Sequence, residues 1–383
     1  MSKYDYLIVG AGLYGAVMAR ELTDHGLKVI VVEKRSHVAG NAYTVYEDGI
    51  IVHKYGPHIF HTDNEDVWQY VNRFAEFNSF INAPAAMYKD RLYTLPFNMK
   101  TFEEMWDVRD SGEARRIIQL QAGAAETGKE PGSLEEQAIS MVGTEIYRKL
   151  IKGYSEKQWG RECSSLPASI IKRLPVRFDY RDSYYDDRYQ GVPRGGYTPM
   201  VEKMLKDIDV MLCTDYYDPD IRPGLDDMAD KVICSGMIDA YYGYCFGKLE
   251  YRSIAFEEKR IDGIRHFQDR AVINHTDMDV PYTRTTEHKY FEADPAVMER
   301  EFTVITREYP EAYDGTNEPY YPVTDKENSE MYERYKMLAE NDERVYFGGR
   351  LGSFRYYDMD DVIAMALEDT GMLMKQHELH LQR

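Results

Sequence analysis

The chain has 383 residues, 43% hydrophobic and 30% charged, with no long low-complexity tract, which is enough for a sizeable core and two or three structural units of a soluble protein. Its 66 Asp+Glu against 47 Lys+Arg leave a net charge of −19, a field that repels nucleic acid and anionic membrane surfaces, so local arginines must hold any anionic substrate. No apolar run approaches a membrane span, and the first strand begins too early to leave room for a cleavable signal, so the expectation is a cytoplasmic protein with neither nucleic-acid nor membrane partners.

Tyr6 to Val9 form an apolar run that breaks into Gly10-Ala11-Gly12-Leu13-Tyr14-Gly15. The pattern predicts a buried strand, a tight turn and a helix whose N-terminus faces a phosphate: Gly10 permits the turn, Gly12 keeps a Cβ away from a pyrophosphate, and Gly15 lets helix and strand approach. Val29 to Val32 give a second strand, and Glu33 follows at the spacing where a carboxylate accepts from an adenosine ribose. A dinucleotide site is expected, although this fingerprint does not separate FAD from NAD. Lys34 to Asn41 is a basic turn ending Ala39-Gly40-Asn41, placed to pass beside the cofactor.

Tyr55 to Thr62 carries Gly56-Pro57 and two histidines, His58 and His61. The Gly-Pro turn argues for a loop without metal, its histidines lying near the cofactor or simply hydrogen-bonded. A helix is expected over 63–74 and a hairpin over 87–93 around Lys89-Asp90. From Thr101 the character changes to an inserted helical unit, roughly 99–172, with capping boxes read at Thr101–Glu104 and Ser133–Glu136.

That unit ends in Lys152-Gly153-Tyr154-Ser155-Glu156-Lys157-Gln158-Trp159-Gly160, where Tyr154 and Trp159 offer rings to stack on a base. A basic patch between prolines follows. Arg173 can grip a phosphate through its planar fork, or Arg173 and Arg177 are surface charges on a helix end, the two readings being even. A glycine-rich loop over 191–197 leads to a helix capped at Thr198-Pro199, and strands over 209–213 and 231–234 return to the nucleotide-binding unit. Residues 249–256, 271–275 and 302–307 look extended and antiparallel, with Arg284 among them as another phosphate candidate. Finally, 344–350 is a strand running into Gly348-Gly349-Arg350, followed by Tyr356-Tyr357-Asp358 and a helix with Val362, Ile363, Ala366 and Leu367 on its apolar face. NAD domains do not need this late return, whereas proteins that wrap an FAD often do. Four cysteines without C-x-x-C indicate neither zinc nor a redox dithiol, and 33 tyrosines suit a sugar-nucleotide cleft.

With these motifs together, the chain resembles the bacterial UDP-galactopyranose mutase family over nearly its full length. The resemblance is carried by the fingerprint, the 55–62 loop, and the stretches 152–160, 171–178, 280–284, 319–322 and 348–359. It implies an α/β fold: a Rossmann-like FAD-binding domain (1–75, 192–240 and 325–383), an inserted helical domain with a mobile loop (99–172), and a twisted antiparallel sheet domain that binds substrate (76–98, 173–191 and 241–324). It further implies interconversion of UDP-galactopyranose and UDP-galactofuranose without net redox change, for cell-surface polysaccharide synthesis. Reduced FAD would act as nucleophile through N5 and be kept reduced by NAD(P)H or a reductase. A homo-oligomer, dimer or higher, is expected.

Carried over residue by residue, Arg173 and Arg284 hold the pyrophosphate, and His61 lies against the flavin. Gly10, Gly12, Gly15, Glu33, Asn41, Arg350 and Asp360 bind the cofactor. Tyr154, Trp159, Asn274, Asn82, Tyr184, Tyr321, Tyr356 and Asp358 line the substrate side. One departure is Ala39, where the family often has glycine. No paired carboxylates stand out as in a glycosidase. Two rivals are an FAD-dependent oxidase or dehydrogenase, which would consume an oxidant or reductant at each turnover, and a colourless flavin-free binding protein.

Overall fold

The computed structural model describes residues 3–123, 130–172, 174–291 and 294–381. Strand β1 (Tyr4–Val9), helix α1 (Leu13–Asp24) and strand β2 (Val29–Val32) form the expected opening crossover. Leu7, Ile8 and Val31 are fully buried, as a parallel strand covered on both faces requires. The parallel sheet runs in the order Val345–Phe347, Ala229–Cys234, β1, β2, Asp209–Met211. The chain therefore leaves β1 to both sides, and the crevice at the carboxyl end of β1 is where such a sheet takes a ligand.

One face of this sheet is covered by α1 and the C-terminal helix Met359–Leu381, whose Ile363 and Ala366 pack with Val17, Met18 and Leu22. Buried Asp369 fixes their relative position, accepting from Tyr14 Oη and Tyr346 Oη at 2.7 Å each.

The second sheet has seven strands, in the order Tyr321–Pro322, Tyr251–Asp262, Phe302–Ala312, Arg284–Glu287, Val272–His275, Ala85–Tyr88, Arg91–Thr94. Its pairs are antiparallel except that Val272–His275 lies parallel to Ala85–Tyr88. The two long strands outrun the expected 249–256 and 302–307, pairing from Arg252↔Ala312 to Asp262↔Phe302. In the first, Glu257 to Arg260 are exposed and had no apolar alternation to read; in the second, the extra residues 308–312 include Pro310 and end exposed. The 85–94 hairpin turns on Lys89 and Asp90, both at positive φ, as a two-residue primed turn demands.

The helical unit comprises Met99–Trp106, Ser111–Ala122, Leu134–Ile146, a π-helical turn Tyr147–Ile151, and Lys152–Trp159. Ser133 caps its helix as expected, accepting from Glu136 N at 3.2 Å. The first box is shifted: Asn98 is the cap, and Thr101 is its partner three residues on. Thr198 is not a cap either, because Gly196 at φ +91° starts that helix and the Thr198 hydroxyl donates to Thr44 O at 2.7 Å.

Among the described residues no helix is long and apolar enough to cross a membrane, and no group of three or more His, Cys, Asp or Glu side chains is placed to hold a metal ion.

Candidate functional site

At the carboxyl end of β1 lies a cavity of about 490 Å³. The glycines build its floor. Gly10 takes φ +99°, and a Cβ on Gly15 would stand 1.9 Å from Gly10 O, so α1 can begin this close to the strand only without one. Glu33 is buried at the end of β2, with one carboxylate oxygen accepting from Ala11 N and the other from Arg35 N, both at 2.9 Å. The carboxylate is thereby locked with its remaining lone pairs free to accept from a bound hydroxyl. Gly40 and Asn41 close one wall, with Asn41 Oδ1 accepting from Arg35 at 3.0 Å. The opposite wall comes from Ser235-Gly236, Gly349-Arg350 and Asp358-Met359, so both crossovers of the parallel sheet bring backbone N–H groups to it.

A second pocket, of about 160 Å³, is lined by Tyr154, Gln158, Trp159, Arg284, Glu308, Tyr321 and Tyr356. Arg350 links the two. It lines the larger cavity while its guanidinium lies 4.9 Å from the Tyr356 ring and donates to Tyr357 O at 2.7 Å. Tyr321 and Tyr356 stack at 5.7 Å.

Arg284 is the charge centre of the small pocket. It donates to Tyr154 Oη at 3.0 Å and to Asn274 Oδ1 at 3.3 Å, and pairs with Glu308 at 3.3 Å. Burial works against its charge, but the Glu308 carboxylate and the surrounding phenol oxygens overcome this and hold the guanidinium well above its ordinary range. Burial also raises Glu308 while the arginine pulls it back. The arginine decides the state of the pair, because a guanidinium does not deprotonate in proteins. Tyr184, pushed up to about 12 by burial, remains a neutral donor. This assembly suits a diphosphate: one fixed cation and several phenol donors beside two rings able to stack on a base.

Five expected substrate residues, Tyr154, Trp159, Arg284, Tyr321 and Tyr356, thus meet in one pocket, with Asn274 directly behind Arg284. Tyr184 lies outside the lining, its N–H held by Asn82 O at 2.7 Å, and Asn82 Oδ1 is buried without a partner. Arg173 lies outside the described residues. Arg177, read as a surface charge, is instead buried and staples its own loop, donating to Tyr184 O at 3.2 Å and pairing with Asp186 at 2.9 Å.

Two residues expected on the cofactor side, His61 and Asp360, are not among the residues lining the large cavity. His58 lines the large cavity, whereas His61 stacks on Tyr185 at 3.6 Å and meets Asp187 at 3.1 Å. Likewise Asp358 lines the cavity and Asp360 does not, its carboxyl meeting Thr62 instead. His58 stands in the loop before the strand Phe60–Thr62 that holds His61, and Asp358 just precedes the helix whose first turn holds Asp360, two residues and more than half a turn further on.

Unanticipated members are Glu308 and the Glu318 ion pairs to Lys34 and Arg35, each at 2.9 Å. Nothing in the spacing of either glutamate announces a partner.

A family model described as UDP-galactopyranose mutase matches residues 149–356, and one described as an NAD(P)-binding Rossmann-like domain matches 8–74. The chain is 41% identical over 372 residues to a probable UDP-galactopyranose mutase of Klebsiella pneumoniae, covering 96% of this chain and 94% of the relative. It is 38% identical over 378 residues to a dTDP-fucopyranose mutase of Escherichia coli, covering 97% and 99%. A solved structure of reduced UDP-galactopyranose mutase has the same fold, with a TM-score of 0.73 at 13% identity over 97% of this chain and 96% of that one. With the family model spanning more than half of the chain and relatives matching it nearly end to end, the chain belongs to the UDP-galactopyranose mutase family.

Proposed function

We propose that the protein interconverts UDP-galactopyranose and UDP-galactofuranose with FAD in the large cavity and the nucleotide sugar in the small pocket. The observation that carries this is Arg284, a buried cation fixed by Glu308, Tyr154 and Asn274 in a pocket that shares Arg350 with the cofactor cavity. The cavity fits the cofactor: Gly10, Gly12 and the α1 N-terminus take the pyrophosphate, Glu33 the ribose, and His58, Arg350 and Asp358 lie toward the ring system. When bound and reduced, the flavin supplies the nucleophile for the anomeric carbon without net redox change.

The chain's own residues position and neutralise. Tyr154 and Trp159 hold the base, while Arg284 offsets the charge that grows on the leaving diphosphate and keeps it in place to return. Arg173 is proposed as the second diphosphate arginine. Neutral Tyr184, Tyr321 and Tyr356 orient phosphate and sugar hydroxyls without adding charge. No acid/base pair is required, and Glu308 is occupied by Arg284. The reductant, NAD(P)H or a reductase, comes from outside.

The relative named for dTDP-fucopyranose supports a second reading, a 6-deoxy sugar on a dTDP carrier. The test is anaerobic: UDP-galactofuranose and dTDP-fucofuranose are each incubated with oxidised and with dithionite-reduced protein, and the nucleotide sugars are separated by chromatography. The first reading expects many turnovers of the UDP sugar in the reduced tube alone, with flavin still reduced. Preference for the dTDP sugar would replace it, and no conversion of either would overturn both.

A further inference from the structure

Lys157 lies between Tyr154 and Trp159 on the helix Lys152–Trp159, yet it does not line the pocket. Its ammonium donates to four backbone carbonyls: His275 at 2.8 Å, Asp277 at 2.7 Å, Val280 at 2.9 Å and Tyr282 at 3.0 Å. The first closes the strand Val272–His275 and the other three lie in the segment joining it to the strand Arg284–Glu287; the two strands carry Asn274 and Arg284 at their facing ends. An ammonium has three N–H donors and no acceptor, so the four carbonyls share all three and none is left for another partner. Without a cation, four carbonyl dipoles would converge on one point with nothing to bind.

Other contacts make this junction tight. A Cβ on Gly153 would stand 2.2 Å from Thr276 O, so the helix backbone rests directly on the segment. Thr276 N and Oγ1 both donate to Met87 O at 3.0 Å, which ties the segment to the neighbouring hairpin. At the helix's other end, buried Arg252 donates to Gln158 O at 3.0 Å. Inside the pocket, the Arg284–Tyr154 hydrogen bond spans the same two elements.

We propose that Lys157 is a positioning residue that pins the base-holding helix to the 275–283 segment and thereby sets the spacing between the rings of Tyr154 and Trp159 and the diphosphate-holding Arg284. The inference rests on the nucleotide-sugar reading above and deepens it: Lys157 touches neither substrate nor cofactor and acts through the frame.

The test uses the flavin-loaded enzyme. UDP affinity is measured by titration calorimetry, and kcat and KM under reduction, for wild type, Lys157→Met and Lys157→Ala. Loss of the pin should raise the UDP Kd and the KM by about 10- to 100-fold, the range spanned by one charge-assisted hydrogen bond, with a smaller fall in kcat. Propylammonium, which replaces the atoms missing from the alanine variant, should restore part of that affinity in Lys157→Ala and none in Lys157→Met.

Unchanged UDP affinity in both variants would overturn the proposal, as would a loss in Lys157→Ala that propylammonium leaves untouched while folding and flavin content match wild type. Hydrogen exchange on the wild type decides the matter independently of any variant. UDP should slow exchange in 276–283, none of which lines the pocket, together with the helix, and no change there would refute the pin. A wild type that fails to bind UDP at all would instead remove the nucleotide-sugar reading.

Discussion

Replacing Arg284 by alanine tests the site most severely, because it does two separable things. On the proposed reading it removes the cation from the diphosphate, and loss of one such preorganised donor lowers kcat by about 10²–10³-fold. It also strands Glu308, whose side chain is only 3% exposed and whose charged partner is Arg284. Breaking a buried pair in this way costs about 3–5 kcal/mol, a large share of a typical total of about 5–15 kcal/mol. A slow, unstable Arg284→Ala alone would therefore prove little.

The informative protein is the double variant Arg284→Ala/Glu308→Gln, in which the stranded carboxylate becomes a neutral amide. Its stability, measured by urea denaturation, should return to within about 2 kcal/mol of wild type, the cost of a buried polar group left unpaired. Its turnover, followed by chromatography of nucleotide sugars under dithionite, should remain as low as in the single variant. Turnover that recovers along with stability would refute the assignment, since Arg284 would then serve only to neutralise Glu308.

Ala39 sits at φ +74°, a left-handed conformation that costs a residue with a Cβ about 1 kcal/mol, so Ala39→Gly should gain roughly that in urea denaturation, and a destabilised variant would refute the strain. In Gly15→Ala the new Cβ would stand 1.9 Å from Gly10 O, which forces α1 off the strand; the variant should purify with flavin absorbance much reduced at normal yield, and full flavin content would count against the cofactor cavity. Burial keeps His288 and His53 neutral, His288 pulled down to about 3, so the unfolded chain binds more protons below pH 6.5. Their contribution is complete above pH 6.5 and is lost as the pH falls, by about 1.4 kcal/mol per pH unit for each histidine. Urea denaturation between pH 6.5 and 5 should show this slope, and it should lessen by that amount in His288→Gln; an unchanged slope would show that His288 is not the source.

What could be read directly was local. The crossover β1–α1–β2, Glu33 at its end and the late Gly348-Gly349-Arg350 return all arise from interactions among neighbouring residues, such as apolar runs, glycines that alone permit a turn or a close approach, and a carboxylate at fixed spacing. Tyr154 and Trp159 belong with them, since both lie on one short helix and reach the same pocket from it. The cap at Asn98 rather than Thr101 shows the margin of error even there, because two polar residues three apart each satisfy the pattern.

Tertiary structure decided the partners. Glu308 is one of several charges in Phe302–Ala312, and only the pairing of that strand with Arg284–Glu287 sets it opposite Arg284. Lys157 finds its carbonyls 118 and more residues away, and Glu318 meets Arg35 across a separation of 283. The pairing of Phe60–Thr62 with Tyr189–Gly191 likewise carries His61 to Tyr185 and Asp187, while His58, in the loop before that strand, lines the cavity. A residue's backbone preference is written in its neighbours, but what its charge meets depends on which distant segment packs beside it, and in this chain the charge centre at Arg284 is assembled from such meetings.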